Sequence, residues 1–465
     1  MIQTGFQVAL PSRGHLRKLA IAVLLAVALG IVVGSGRLPL RDVETRPHLF
    51  VAVAVVAVAS LLALARVEYG LLSLPVTATA VPIALGTGTG SPLVASLLFA
   101  AFLLALFVLR ALASRSVVLV SSPLNVPLLG FVVVAVLATV NSEAMRHPLI
   151  LVWSTFPQVQ MGGLSVFVLS AGVLFVTMNS IREMRWIRHL TWVFLGIGAL
   201  ALGGYAVRSK NDLPGFEVGG LFSLWVIALA FGQAVFNHRM PRWGRVGLLL
   251  LALGWLYRRF VLETSWLSGW VPAVAAILAI SLLRSRLLFS AALAIVAVAA
   301  LAMYGDIYQT QVIGVDSAGN FLRLDLWQQN LEVTKDHLLL GLGPGGYAPY
   351  YVALFPNRAL SSHSNYLDVF SQTGLVGSLF FLWVLLAASQ VGIRAHRRWP
   401  TGFEAGFANA VLGGFLGVVV AMAFGDWLIP FVYNQTIAGF RHTVHSWLFL
   451  GALASTLHVD AKEST

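Results

Sequence analysis

One histidine stands where chemistry is easiest to imagine. His363 lies in the segment Ser361-Ser362-His363-Ser364-Asn365-Tyr366-Leu367-Asp368, and histidine is the side chain most readily used as a general base near neutral pH. A lone histidine in a loop is more often a hydrogen-bonded structural residue, so its company decides. Ser364 and Asn365 follow it directly, and Asp368 comes five residues later. Asp368 can orient the imidazole if the segment is irregular; on a regular helix a five-residue spacing separates the two side chains. Arg323 and Trp327 lie upstream, and a guanidinium offers the planar fork that suits phosphate groups. Tyr347, Tyr350, Tyr351 and Tyr366 add aromatic surface for sugar stacking, although tyrosine is also enriched at membrane interfaces, and two of the four are assigned to that belt. The run Gly341-Leu342-Gly343-Pro344-Gly345-Gly346 has the letters of a dinucleotide fingerprint. No βαβ unit surrounds it and no Lys-Ser/Thr follows, so both the dinucleotide and the P-loop readings fall. What remains is a tight turn at Gly343, Gly345 and Gly346, bringing backbone close to the membrane surface or to a ligand phosphate.

The elements that position these residues follow from composition. Of 465 residues, 58% are hydrophobic and 10% charged, against about a quarter charged in a soluble domain. A soluble enzyme, a disordered chain and a nucleic-acid binder are excluded. Apolar runs of about 20 residues recur along the chain, each able to span a bilayer. The fold class is therefore an all-α polytopic membrane protein. Fourteen runs qualify by hydropathy, from 16–34 to 443–458, with 70–87, 374–393 and 405–426 among them. If two short or Gly/Pro-interrupted runs are re-entrant or paired, the count is twelve. The run at 16–34 reads as a retained first helix rather than a signal peptide, because further spans follow at once.

The net charge of +12 reflects Lys and Arg gathered in alternate connections, which the positive-inside rule assigns to the cytoplasm together with both termini. The cluster Arg394, His396, Arg397 and Arg398 belongs to that side. Cysteine is absent, which removes disulfides, thiolate nucleophiles and Cys-ligated metals. The organisation read from the chain is an N-terminal transmembrane bundle over 1–303, a large extracytoplasmic loop over 304–373, and C-terminal transmembrane helices over 374–465. Long connections are often functional, and this loop holds Arg323, His363 and Asp368. Apolar residues Leu322, Leu326, Leu331 and Leu338 predict a helix within 321–340. Gly413 and Gly417 form a GxxxG pair for close helix packing, and Asn434-Gln435-Thr436 matches a glycosylation acceptor pattern common by chance.

His363-Ser364, nine residues, then Gly374-Leu375-Val376-Gly377 reads as H-[NSQ]-x9-G-x-x-G. This resembles the bacterial O-antigen ligases, whose superfamily includes O-antigen polymerases and protein O-oligosaccharyltransferases. The specific likeness covers about residues 320–380, with Arg323, Trp327 and the Gly341–Tyr347 turn as its upstream part. The resemblance implies a metal-independent, inverting GT-C type glycosyltransferase of the bacterial inner membrane, needing no cofactor and acting on the periplasmic face. Its donor would be a glycan on undecaprenyl diphosphate and its acceptor a sugar hydroxyl of lipid A-core, with membrane lipids around it and no nucleic acid partner. His363 would be the base or orienting residue, and Arg323 would hold the diphosphate. The chain departs from the family at Trp266, where a second arginine is expected; Arg258 and Arg259, about two helical turns earlier, are the candidate replacements, with Arg208 and Lys210 as weaker ones. Two rivals stand beside the ligase: a polymerase of the same superfamily, and a transporter of lipid-linked substrates. The transporter would place ionisable residues at span centres and repeat itself in two halves, and the sequence shows neither.

Overall fold

The computed structural model describes residues 47–81, 83–114, 119–207, 216–263, 267–303, 305, 323–356 and 359–459. The run at 16–34, together with Arg208, Lys210 and Trp266, lies outside them. Ten helices form the first part: α1 (Pro47–Ala65), α2 (Val67–Thr79), α3 (Ala95–Ser114), α4 (Asn125–Ala144), α5 (Phe156–Ser180), α6 (Met184–Val207), α7 (Phe222–Phe236), α8 (Arg242–Tyr257), α9 (Leu267–Arg284) and α10 (Arg286–Ala302). Two shorter helices follow, α11 (Arg323–Thr334) and α12 (Tyr347–Leu354), and then α13 (Asn365–Arg398), α14 (Gly402–Ala421) and α15 (Phe440–Ser455). Among the described residues, seven helices are long and apolar enough to cross a membrane, and further shorter apolar helices accompany them. The chain is an all-α polytopic membrane protein.

The core is built around α14, which packs on α7 and α9, while α15 packs on α5. One continuous cluster of buried side chains runs from Ala59 to Val459, so the last two helices share a core with the first nine, while α10 buries no residue. Gly413 and Gly417 explain how α14 lies so close to α9. A Cβ on Gly417 would come within 2.5 Å of Pro272 O, and one on Gly413 would run into Ile280. The GxxxG pair is a packing seam.

The run expected to span at 70–87 is different. Helix α2 carries Pro75 and stops at Thr79, and a two-stranded antiparallel hairpin follows, β1 (Ala84–Leu85) paired with β2 (Leu93–Val94). The apolar pair Ala84–Leu85 reads as a continuation of the helix before it, and hydropathy does not show that the chain turns just beyond, where Gly88 takes φ +79°. The helix predicted within 321–340 is present as α11, extended by a 3₁₀ turn at Lys335–His337.

Backbone contacts gather the connections into two ends. At one end Glu217 N–H donates to Thr79 O, and the Gly341–Gly346 turn is wedged beside Ser142 of α4 and Val159 of α5. At the other, Arg188 pairs with Glu404 at 3.2 Å and Gln233 donates to Phe403 O. Helix α13 belongs to both, and it is broken where it enters the bundle: Gly374 takes φ +65°, ψ −165°. The turn locks into that break. Leu342 N–H donates to Ser371 O and Leu375 N–H to Leu338 O, at 2.8 and 2.7 Å. A Cβ on Gly341 would lie 2.6 Å from Gly374 N, and one on Gly374 would collide with Leu339 O. The nine residues between Ser364 and Gly374 are thus the length of the helical segment before the break.

Gly374 occupies a region open essentially to glycine alone, worth about 1–3 kcal/mol in strain for any other residue before the collision is counted. Gly374→Ala should therefore lower the thermal unfolding temperature of the detergent-solubilised protein clearly, whereas Gly196→Ala, at an open position with no atom within 4 Å, should leave it almost unchanged.

Candidate functional site

His363 sits at the mouth of α13, one residue before the N-cap Ser364. Its φ is +51°, a left-handed conformation that a non-glycine residue holds only when its surroundings insist. The surroundings are a web of hydroxyls. His363 N–H donates to Ser361 Oγ at 3.0 Å and Ser364 N–H to Ser362 Oγ at 3.1 Å. Both hydroxyls donate in turn to the carboxylate of Asp368, Ser362 at 2.7 Å and Ser361 at 3.2 Å, and Ser362 N–H reaches the same carboxylate at 3.3 Å. Asp368 is fully buried. It grips the two serines ahead of His363 rather than the imidazole, because it lies in the first turn of a regular helix, whose geometry carries it away from the ring. Trp327 completes the frame by donating from its indole N–H to Ser362 O at 3.0 Å.

Asn365 ties this segment to the connection between α14 and α15. Its side-chain oxygen accepts from Leu428 N–H and Ile429 N–H at 2.8 and 3.0 Å, and its amide nitrogen donates to Ile429 O at 2.8 Å. That connection carries Asp426, a residue that sequence reasoning passed over. Asp426 is 1% exposed; its carboxylate accepts from Phe431 N–H and from the Asn434 amide, both at 2.7 Å. Burial pushes its carboxyl up, and these hydrogen bonds pull back. The available signal was a single acid placed by hydropathy at the close of an apolar span, where ionisable residues are costly and mark function. Asn434, matched to a glycosylation pattern, is engaged with this acid.

The half-buried imidazole of His363 is held below the ordinary histidine range, first by burial and second by the charge of Arg323, with Asp426 acting in the opposite sense. A neutral ring is therefore favoured, which is the form a base requires. Arg323 opens α11, is half-buried, and its guanidinium reaches toward Phe424 O at 3.5 Å. Four elements thus converge: the segment before α13, α13 itself, the start of α11, and the connection before α15.

The other expected residues fall elsewhere. Arg258 and Arg259 lie in a π-helical turn after α8 and share one acid, Glu263, each at 2.7 Å. Arg258 is also stacked on Tyr205 and Trp255, its guanidinium carbon 3.8 and 4.9 Å from the ring centres. Arg259 donates further to Val218 O at 2.8 Å. Glu263 offsets one of the two charges, and the pair braces the segment before α7. Tyr347, Tyr350 and Tyr351 are buried in a cluster with Phe431 and Leu342, and so present no free face to a sugar. Tyr366 is 37% exposed, and its hydroxyl donates to Val419 O at 2.8 Å. The glycine turn is buried as well, with Gly343 against Ala138 and Ser142 and Gly345 against Val159. Its backbone approaches other helices and serves packing.

Removing the Asn365 side chain strips two buried backbone N–H groups of their acceptor, at about 1–3 kcal/mol each if left unpaired. Asn365→Ala should accelerate amide exchange at Leu428 and Ile429 by tenfold or more, measured by hydrogen–deuterium exchange, while exchange in α5 stays as in the wild type.

Residues 219–382 match the family model described as O-Antigen ligase. No curated protein matches the chain. The matched stretch takes in Arg258, Arg259, Arg323, the Gly341–Gly346 turn, His363 and Gly374, and ends before Asp426. With its apolar helices and the site assembled at one end of them, this multi-pass membrane protein carries, over about a third of its length, a stretch similar to the O-antigen ligase family.

Proposed function

We propose that the chain transfers a glycan from undecaprenyl diphosphate to a sugar hydroxyl of lipid A-core, on the periplasmic face of the bacterial inner membrane, by direct displacement with inversion and without a metal. The observation that carries this reading is a half-buried imidazole, held in a left-handed backbone at one end of a membrane bundle, on which the charges of Arg323 and Asp426 act in opposite senses. His363 takes the proton of the acceptor hydroxyl as that oxygen attacks the anomeric carbon. The bond from this carbon to the diphosphate oxygen breaks, and undecaprenyl diphosphate leaves with the electron pair. Negative charge grows on the leaving group, where the fork of Arg323 meets it. The imidazolium formed beside a guanidinium is offset by Asp426.

A diphosphate leaving group needs a cation, and the guanidinium of Arg323 supplies one. An arginine also keeps its charge at a membrane edge, where a lysine can lose its proton. Donor and acceptor are both lipid-anchored and diffuse laterally to the site. The energy comes from the donor's own diphosphate linkage. The concentration of Lys and Arg at the opposite end supports cytoplasmic termini. The domain match supports glycan transfer and leaves the acceptor to experiment.

The test is transfer by purified protein in detergent from undecaprenyl-diphosphate glycan to lipid A-core, in EDTA and without nucleotide. His363→Ala should lower turnover by roughly 10²- to 10⁴-fold while the protein keeps its unfolding temperature. A variant retaining more than about a third of the wild-type rate would remove His363 from the role of base. Glycan chains lengthening on the undecaprenyl carrier, with none on lipid A-core, would make the enzyme a polymerase.

The pH profile separates the partners of His363. Since burial and Arg323 both disfavour the imidazolium, the acid limb of kcat/KM should lie below the ordinary histidine value of about 6.5. Arg323→Ala removes a cause of that lowering and should move the limb up; Asp426→Asn removes the opposing charge and should move it down. Arg323→Lys keeps the charge, so the limb should stay in place while the rate falls nearly as far as in Arg323→Ala, because a point charge cannot reproduce the fork. Full activity in the Lys variant would show that the contact is not bidentate.

A further inference from the structure

A second polar feature lies at the same end of the bundle, beyond the stretch that matches the family model. A cavity of about 320 Å³ is lined by Glu217, Gln435, Ala438, Gly439, Arg441 and His442. This is at the lower end of the range for small-molecule sites. Arg441 and Glu217 form an ion pair across it. The Gln435 amide donates to Asp426 O at 3.0 Å, so the cavity wall is one residue removed from the carboxylate that faces His363. The Gln435 side-chain oxygen and the ring nitrogens of His442 take no hydrogen-bond partner among the described residues.

The walls are firmly held. Thr436, beside Gln435, has φ +58° and is, with His363, one of the two non-glycine residues in the left-handed region among the described residues; such outliers cluster at binding sites. Its hydroxyl accepts from Ala438 N–H at 3.1 Å. Gly439 lies so close to Pro430 and Gln435 that a Cβ would approach both within 2.7 Å. Gly219 and Gly220 are pressed against the His442 ring, and Arg259 holds Val218 in place.

Within the cavity's own lining the charges answer one another, Glu217 to Arg441. A diphosphate would seek an excess of cation, which the lining of this cavity lacks. A neutral ligand rich in hydroxyls fits instead: the carboxylate and the amide oxygen accept, the guanidinium donates, and the imidazole does either. We propose that this cavity is a saccharide-binding subsite, in which Glu217, Gln435, Arg441 and His442 hold a sugar residue next to the one that reacts. The inference rests on the glycan-transfer reading given above. The sugar belongs either to the glycan of the donor or to the core of the acceptor.

The two sources separate by binding. The glycan released from its undecaprenyl carrier and the core oligosaccharide released from lipid A are titrated separately into purified protein in detergent, followed by tryptophan fluorescence; Trp427 packs beside Gly220 at the cavity's edge. One of the two should bind saturably, and its identity names the source. Ala438→Phe fills the cavity without removing a hydrogen bond, and should weaken that binding roughly tenfold or more. Glu217→Gln, should it fold, acts in the same direction. His363→Ala should bind as the wild type does, and in the transfer assay Ala438→Phe should raise KM for the substrate carrying the bound sugar while kcat changes little. Binding of neither saccharide, or an Ala438→Phe variant of wild-type affinity and wild-type KM for both substrates, overturns the subsite and leaves transfer by His363 untouched. A wild-type protein that binds the saccharide and transfers nothing overturns the transfer reading while the cavity keeps its ligand.

Discussion

Irregular backbone beside a bilayer has no water to rely on and must find its hydrogen-bond partners within the protein. Three buried side chains meet that constraint here, and the site exists because they do. Asp368 collects the serines that carry His363, Asn365 collects the backbone of Leu428 and Ile429, and Asp426 collects Phe431 and Asn434. Each reaches across a gap that regular secondary structure leaves open. Burying a carboxylate costs several kcal/mol unless its oxygens are satisfied, and both acids have their oxygens occupied. The left-handed backbone of His363 is maintained from outside, by hydroxyls that answer to a carboxylate in the helix behind it.

The same arrangement sets the electrostatics. A histidine alone in a half-buried position would lose its proton readily but would form a poorly solvated imidazolium when it accepted one. Arg323 strengthens the first tendency and Asp426 relieves the second. A base flanked by opposite charges can stay neutral in the resting site and still carry a proton through the reaction. Arg258 and Arg259 serve a different purpose. Glu263 offsets one of their charges, and their remaining donors stack or brace, as in the contact from Arg259 to Val218.

How much could be read from the chain depended on whether the cause was local. The helical class, the GxxxG seam and the helix beginning at Arg323 follow from hydropathy and periodicity, which are properties of short windows. The spacing from His363 to Gly374 was visible as a motif, and its physical meaning is the run of helix before a break that only glycine accommodates. The hairpin at Ala84–Val94 was lost because its two short apolar strands read as continuations of the apolar helices on either side. Asp426 was lost for a related reason: one acid at the end of an apolar run barely alters its mean, yet its neighbours, His363 and Asp368, lie about 60 residues away in the chain. The roles of Tyr347 and Tyr351 were also invisible, because whether a ring faces a ligand or Phe431 is settled by long-range packing.

Long-range packing also brings cations to this end of the bundle from distant parts of the chain. Guanidinium groups reach it from three separate places, the start of α11, the turn after α8 and the start of α15, and two of those places carry their own acid. Charge balance in each place then sorts what it can hold. Where the carboxylates match the guanidinium groups, as at Arg441 and Glu217, polar groups with hydroxyls are the better guests. The α14–α15 connection, with Asp426 at one end and Arg441 at the other, joins the surroundings of His363 to that ion pair through Gln435, whose amide donates to Asp426 O.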